Sequence, residues 1–238
     1  MSGTSGTPGK PDPVLLSIPV PLRLFPAPPA GPGPGRPPIL LAMHGFAMSA
    51  LPMLGLARQF APPGFLIVSV QGPQSAFAPG TSFPDRKIGF HFGVSPDAED
   101  NRAVHRAAVA AAIGWASENG GDPGRVSLAG FSHPCSFNYR LALDPPHGAP
   151  FRAVVGICGG LPGEWGDDAP PGTPASKAAY ALHVSTTEDE WYSAETIAPY
   201  GRRLGARFAT AEHLVFEGPH RAPSAAFPAI REFLAARG

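Results

Sequence analysis

Six stretches of the chain are short, nearly continuous apolar runs bounded by turn residues: PPILLAMHG (37–45), FLIVSVQG (65–72), RVSLAGFS (125–132), RAVVGICGG (152–160), YALHVSTTED (180–189) and HLVFEGPH (213–220). Strands buried on both faces of a parallel sheet need such uninterrupted runs. A seventh stretch, VLLSIPVPLRLF (14–25), alternates and carries two prolines, which suits an edge strand. Helices are expected over 50–60, 97–121, 134–143, 194–206 and 223–236. The segment 97–121 has acidic residues in its first turn and glycines at its end, as the helix dipole and C-cap favour. Strands alternating with helices predict a doubly wound, mostly parallel α/β sheet of about seven strands. No internal repeat is visible.

Two connections depart from this regularity. Residues 72–96 have no clear period, and a loop of that length is usually functional or disordered. The rings of Phe77, Phe83, Phe90 and Phe92 argue for order there. They either line an apolar ligand site or pin the loop to the core. The connection 161–177 is too short to build a separate cap domain.

Composition narrows the function classes. Lys plus Arg and Asp plus Glu are both 18, so the chain lacks the basic surplus of a nucleic-acid footprint. Glycine and proline total 61 residues, a share that can mark low complexity, but twelve of the 32 prolines fall in the first 38 residues. The remainder reads as globular, which predicts a flexible N-terminal segment over 1–12 and a single domain over 13–238. No apolar stretch is long enough for a membrane-spanning helix, and the first residues lack the pattern of a signal peptide. Cys135 and Cys158 are expected to be reduced, packed thiols of a cytoplasmic protein. Three lysines against fifteen arginines, with much alanine, suggest a GC-rich bacterial genome.

The chemistry is concentrated at the carboxyl ends of the expected strands, where ligands bind in a parallel sheet. There the chain places His44-Gly45-Phe46, Ser132, Gly159-Gly160, Asp189 and His220. Each has a bland alternative: Ser132 could be an N-cap, Asp189 a solvated turn acid, His220 a surface residue. Together, in the order Ser, Asp, His, they match the chain order of a nucleophile, an acid and a base on a hydrolase sheet. His44 is read as shaping the loop after its strand, while His183 and His213 fall within strands and are read as packed. The side chain of His133 is expected to point along the following helix, away from the serine hydroxyl. Met43, Met48 and Met53 are read as core filling. No Cys/His cluster has zinc spacing, and no phosphate-binding loop or dinucleotide fingerprint occurs. Neither metal nor organic cofactor is expected.

The segments LLAMHGFAMS (40–49), QGP (71–73), DPGRVSLAGFS (122–132), GICGGLPG (156–163), HVSTTEDEW (183–191) and FEGPH (216–220) resemble the phospholipase/carboxylesterase branch of the α/β-hydrolase family. The resemblance implies the α/β-hydrolase fold and a serine carboxylesterase or acyl thioesterase; a carboxylesterase acting on small to medium acyl esters is the reading expected. It implies Ser132 as nucleophile, Asp189 as acid, His220 as base, and the backbone N–H groups of Phe46 and His133 as oxyanion donors. Two departures stand out. Pro134 replaces the second glycine of the Gly-X-Ser-X-Gly elbow, and bulky Trp191 and Tyr192 follow Asp189 where small residues are usual. With Phe90 and Phe92, Trp191 and Tyr192 are candidate substrate contacts. The sequence also admits a catalytically inactive ligand-binding protein on this fold, or a triad enzyme acting on thioesters, amides or polyesters. It leaves the oligomeric state open.

Overall fold

A computed structural model describes residues 16, 18–31, 33–78, 80, 84–94, 98–146, 150–166 and 180–237. The expected flexible segment 1–12 lies outside them, as does Phe83. Among the described residues, nine strands occur in chain order: β1 (Leu24–Ala27), β2 (Pro38–Met43), β3 (Leu66–Val70), β4 (Gln74–Phe77), β5 (Ile88–His91), β6 (Asp122–Phe131), β7 (Ala153–Ile157), β8 (Tyr180–Glu188) and β9 (Thr210–Pro219). Seven form one sheet in the order β1-β3-β2-β6-β7-β8-β9, parallel except for the edge pair β1–β3. The helices are α1 (Ala50–Phe60), α2 (Ala98–Glu118), α3 (Cys135–Leu143), α4 (Ala194–Ile197), α5 (Tyr200–Gly205) and α6 (Phe227–Ala235).

The apolar runs are explained by two cores, one on each face of the sheet. Ile39, Leu41 and Met43 of β2 face one side with Val109 and Ile113 of α2, Tyr139 of α3 and Leu204 of α5. Leu40 and Ala42 face the other with Met53 and Phe60 of α1 and Ile230 and Phe233 of α6. A strand covered on both faces has no solvent-facing position, so the polar alternation of a half-exposed strand is missing.

The differences from the expected elements have local causes. Among its described residues, the stretch 14–25 contributes strand only from Leu24, and Pro26 is tolerated because β1 is the sheet edge. The helix expected over 194–206 is two pieces, because Pro199 has no N–H to continue the hydrogen-bond ladder and becomes the N-cap of α5. The segment 223–236 begins as a 3-10 turn, Ser224–Ala226, before α6. The long connection 72–96 contains an unforeseen antiparallel hairpin, β4–β5. It docks through Phe90, whose N–H donates to the carbonyl of Met48 at 2.8 Å.

Because β3 lies beside β2 on one side and the chain then crosses to β6 on the other, winding reverses between β2 and β6. Ligand sites of open α/β sheets form at such a reversal, outside the carboxyl ends of the strands.

The sheet also depends on one close approach beneath α3. Tyr139 and His183, both fully buried, share a hydrogen bond of 2.7 Å between Oη and Nδ1. A Cβ on Gly156 of β7 would collide with that Oη and lie 2.8 Å from the imidazole. Gly156→Ala is therefore expected to destabilise by about 1–3 kcal/mol through overpacking, read from the urea unfolding midpoint. An unchanged midpoint would show that the Tyr139–His183 pair can move aside.

Candidate active site

Ser132 follows β6 with φ at 61°, in the left-handed region that a non-glycine residue rarely occupies. Its N–H donates to the carbonyl of Ile157 on β7 at 2.7 Å, and its carbonyl accepts from the Cys135 N–H that opens α3 at 3.2 Å. Two glycines leave room for the turn. A Cβ at Gly130 would lie 2.9 Å from Asn138 Nδ2 and 3.3 Å from Pro134 Cγ, and one at Gly159 would collide with the Ser132 carbonyl and Cys135 Sγ. Pro134 is the N-cap of α3 at φ −75° and ψ −6°, within proline's own range, and its carbonyl accepts from Asn138 N–H. The proline thus stands where its missing N–H costs the helix nothing.

His220, just after β9, places Nε2 2.9 Å from Ser132 Oγ and Nδ1 2.8 Å from Asp189 Oδ2. A carboxylate can only accept, so Nδ1 carries the proton and Nε2 faces the serine as an acceptor. The side chain of Asp189 is 1% exposed, and its other oxygen accepts from the N–H groups of Trp191 at 2.9 Å and Tyr192 at 3.0 Å. The unusual residues after Asp189 thus contribute backbone, which any residue type supplies. Their rings flank His220, with centroids 6.5 Å away for Trp191 and 6.0 Å for Tyr192. Glu190 accepts from the His220 N–H at 3.1 Å.

The loop after β2 lies beside the elbow. A Cβ at Gly45 would sit 3.1 Å from the Phe131 ring and 3.3 Å from Ser132 Cβ, so only glycine allows this approach without displacement. Ala47, at φ 57°, completes the turn, and Gly89 of β5 packs against its carbonyl. Among the described residues, the N–H groups of Phe46 and His133 have no hydrogen-bond partner.

His44 holds that loop in place. Its Nδ1–H donates to the Gly45 carbonyl at 2.8 Å, and Nε2 accepts from Gly72 N–H at 2.9 Å and from Gln71 Nε2 at 3.1 Å. Gln71 Oε1 in turn accepts from the Ala50 N–H at 3.1 Å, occupying a free donor at the N-terminus of α1. The sequence reading assigned no role to Gln71. Its signal was present in the QGP that closes the β3 run, one residue past the strand.

The other expected site residues separate. Phe92 is fully buried between the rings of His44, at 5.2 Å, and His105, at 5.6 Å, and offers no surface to a substrate. Phe90 is half-buried on the hairpin, and Phe77 is exposed under the Arg86 guanidinium. Trp191 is 70% exposed, while Tyr192 is half-buried. The His133 ring packs against Phe46, His91 and Phe137. Both cysteines are free and buried; burial pushes the Cys135 thiol up to about 12 and the Cys158 thiol up to about 11, so both stay protonated. Among the described residues no group of three or more His, Cys, Asp or Glu could hold a metal ion, and no helix is long and apolar enough to cross a membrane.

Solved structures share this architecture. The chain is similar to esterase PE8, at 19% identity and a TM-score of 0.66, covering 91% of this chain and 99% of that one. It is similar to a Bacillus cereus carboxylesterase, at 15% identity and 0.65, covering 91% and 95%. It is also similar to Zea mays acyl-protein thioesterase 2, at 15% identity and 0.64, covering 90% and 98%. The chain has the α/β-hydrolase fold. No protein-family model matches the sequence, and no curated protein matches it significantly.

Within this hydrolase fold several histidines are held neutral. Burial lowers His44 from the ordinary 6.5 to about 4, and lowers His105 and His183 to about 3. Below pH 6.5 the unfolded chain binds protons at these positions that the folded chain does not, so stability falls as pH falls toward 3–4. Above 6.5 their contribution is constant. Each group should contribute a slope of up to about 1.4 kcal/mol per pH unit within its window. Urea unfolding between about pH 4.5 and pH 8 measures this, and a midpoint unchanged below the ordinary histidine value would contradict the neutral assignment.

Proposed function

We propose that the protein is a serine carboxylesterase that hydrolyses small to medium acyl esters through an acyl-enzyme intermediate. The observation that carries this reading is the unbroken line Asp189–His220–Ser132, at 2.8 and 2.9 Å, ending on a serine in the left-handed conformation at a strand end. The activities named for the structural neighbours, esterase, carboxylesterase and acyl-protein thioesterase, support hydrolysis at an acyl carbonyl.

Each group has a distinct role. The hydroxyl of Ser132 is too weakly acidic to attack unaided, so His220 Nε2 takes its proton as Oγ adds to the carbonyl carbon. Asp189 holds the imidazole in the tautomer that presents Nε2 and stabilises the imidazolium that forms. The free N–H groups of Phe46 and His133 are the donors for the oxyanion; losing one such donor typically costs about 2.7–4 kcal/mol of barrier. His220 then protonates the leaving alcohol, and a water attacking by the same base releases the acid. Phe90, Trp191 and Tyr192 form the substrate wall in this reading.

Ser132→Ala and His220→Ala should each lower ester hydrolysis by about 10³-fold or more with the fold retained, because the three groups act as a unit. Release of p-nitrophenol from a short-chain ester measures it, with circular dichroism as the check on folding. A Ser132→Ala protein turning over at near wild-type rate would overturn the assignment, and a wild type inert toward esters, thioesters and amides would favour a ligand-binding protein.

Pro134→Gly should keep kcat/KM within about tenfold, a barrier change near 1.4 kcal/mol. It should also lower the melting temperature slightly by freeing the unfolded chain. A hundredfold faster glycine variant would mean that proline distorts the elbow.

A further inference from the structure

A cavity of about 330 Å³ is lined by neighbours of Ser132 and His220, though not by those two residues themselves. Two of its lining residues tie it to the reacting atoms. His133 is the residue after Ser132, and the Tyr192 ring lies 6.0 Å from that of His220. Its lining includes two guanidiniums, Arg102 and Arg140, and no carboxylate. These arginines differ in how far they are already engaged. Arg140 gives Nε and a terminal nitrogen to the two oxygens of Glu164 at 2.6 and 2.7 Å, and its remaining nitrogen to the Ser136 carbonyl at 3.3 Å. Its charge is paired with Glu164, and three of its five N–H donors are engaged. Arg102 makes one bond of 3.3 Å, to Glu99 on the same helix, whose side chain is 86% exposed. An exposed pair of this kind contributes little and is readily exchanged for another anion. The other N–H donors of Arg102 have no partner among the described residues.

We propose that the preferred ester carries a second, anionic oxyacid group, and that Arg102 binds it. The claim rests on the ester-hydrolase reading above and deepens it. A planar guanidinium pairs with a carboxylate or phosphate through two parallel bonds, which fixes orientation as well as supplying attraction. The Ser136 hydroxyl, on the same cavity wall, is a further donor for that group. The face of Phe137 gives the intervening methylenes an apolar floor. The volume lies at the low end for ligand sites, so the substrate class is a short acid monoester rather than a long fatty acyl chain. Arg102 is here a specificity residue: it touches the remote end of the substrate and takes no part in bond making.

The experiment compares kcat/KM for p-nitrophenyl monoesters of glutaric and adipic acids with the neutral valerate and hexanoate esters. A second arm carries the charge on the alcohol, as the butyrate ester of a hydroxy acid against that of the matching neutral alcohol, and so distinguishes which side of the scissile bond enters the cavity. In at least one arm the anionic member should be preferred by about tenfold, and the preference should shrink as salt rises. Arg102→Gln should collapse the anionic-to-neutral ratio toward unity, and Arg102→Lys should restore part of it. Equal rates for charged and neutral members in both arms, or a ratio indifferent to Arg102→Gln, would overturn the proposal while leaving ester hydrolysis standing. Should no ester be hydrolysed, the hydrolase reading fails. The anion site is then judged by calorimetric binding of the same pairs to Ser132→Ala protein with and without Arg102→Gln, where equal affinities overturn it.

Discussion

The left-handed backbone of Ser132 is the constraint on which the rest of the site depends. For a residue with a Cβ that conformation costs about 1–2 kcal/mol, and it persists only where the surroundings over-determine it. Here the surroundings are specific. The Ser132 N–H is bonded across to β7, its carbonyl is bonded forward to Cys135, and Gly130 and Gly159 remove the side chains that would block the turn. The result lifts Oγ away from the sheet and aims it at His220 rather than into the helix that follows. Had the residue relaxed into the α region, the same serine would be an ordinary helix cap.

Everything around the elbow is arranged to hold other groups against that fixed point. Asp189 is anchored by two backbone N–H groups before it meets His220, so the imidazole is oriented from a rigid carboxylate. His44, kept neutral by burial, ties the loop of Gly45 and Phe46 to Gln71 and Gly72, and Gln71 reaches on to the start of α1. The loop after β2 is therefore fastened to β3 and α1 as well as to its own strand. A protonated His44 could not accept at Nε2, so the same burial that lowers its pKa preserves the loop's geometry. Loss of stability in acid and the position of the Phe46 N–H are two consequences of one neutral imidazole.

How much of this was legible in the sequence follows from which interactions are local. The parallel sheet was readable because double-sided burial forces continuous apolar runs. The helix bounds of α1 and α3 were readable because their flanking strands and turns end them. Ser132, Asp189 and His220 could be picked out because strand ends are marked by the turn residues that follow them. The hairpin β4–β5 was not readable, since its strands are short, with half-exposed and exposed positions in β4, and it is held by one docking bond to Met48 as much as by its own pattern. The burial of Phe92 was equally hidden. An aromatic residue in an aperiodic loop does not reveal whether it faces a ligand or two buried histidines.

Pro134 and Arg102 show how polar and steric choices near one strand end divide the work of a site. Replacing a glycine with proline at the elbow leaves the strained residue where it was, because the left-handed turn belongs to Ser132 and the proline sits at a φ it would adopt unaided. The geometry of the strained turn and entry into the helix are therefore separable in this fold. In the proposed reading, substrate selection is separable too. The cavity wall that carries Arg102 belongs to α2, an element that supplies none of the three aligned residues or the two free N–H donors. On that proposal, a change on α2 alters which ester is held without moving Ser132, His220 or the loop of Phe46. Specificity can then shift through one guanidinium on a helix surface while the strained turn, which tolerates little change, stays fixed.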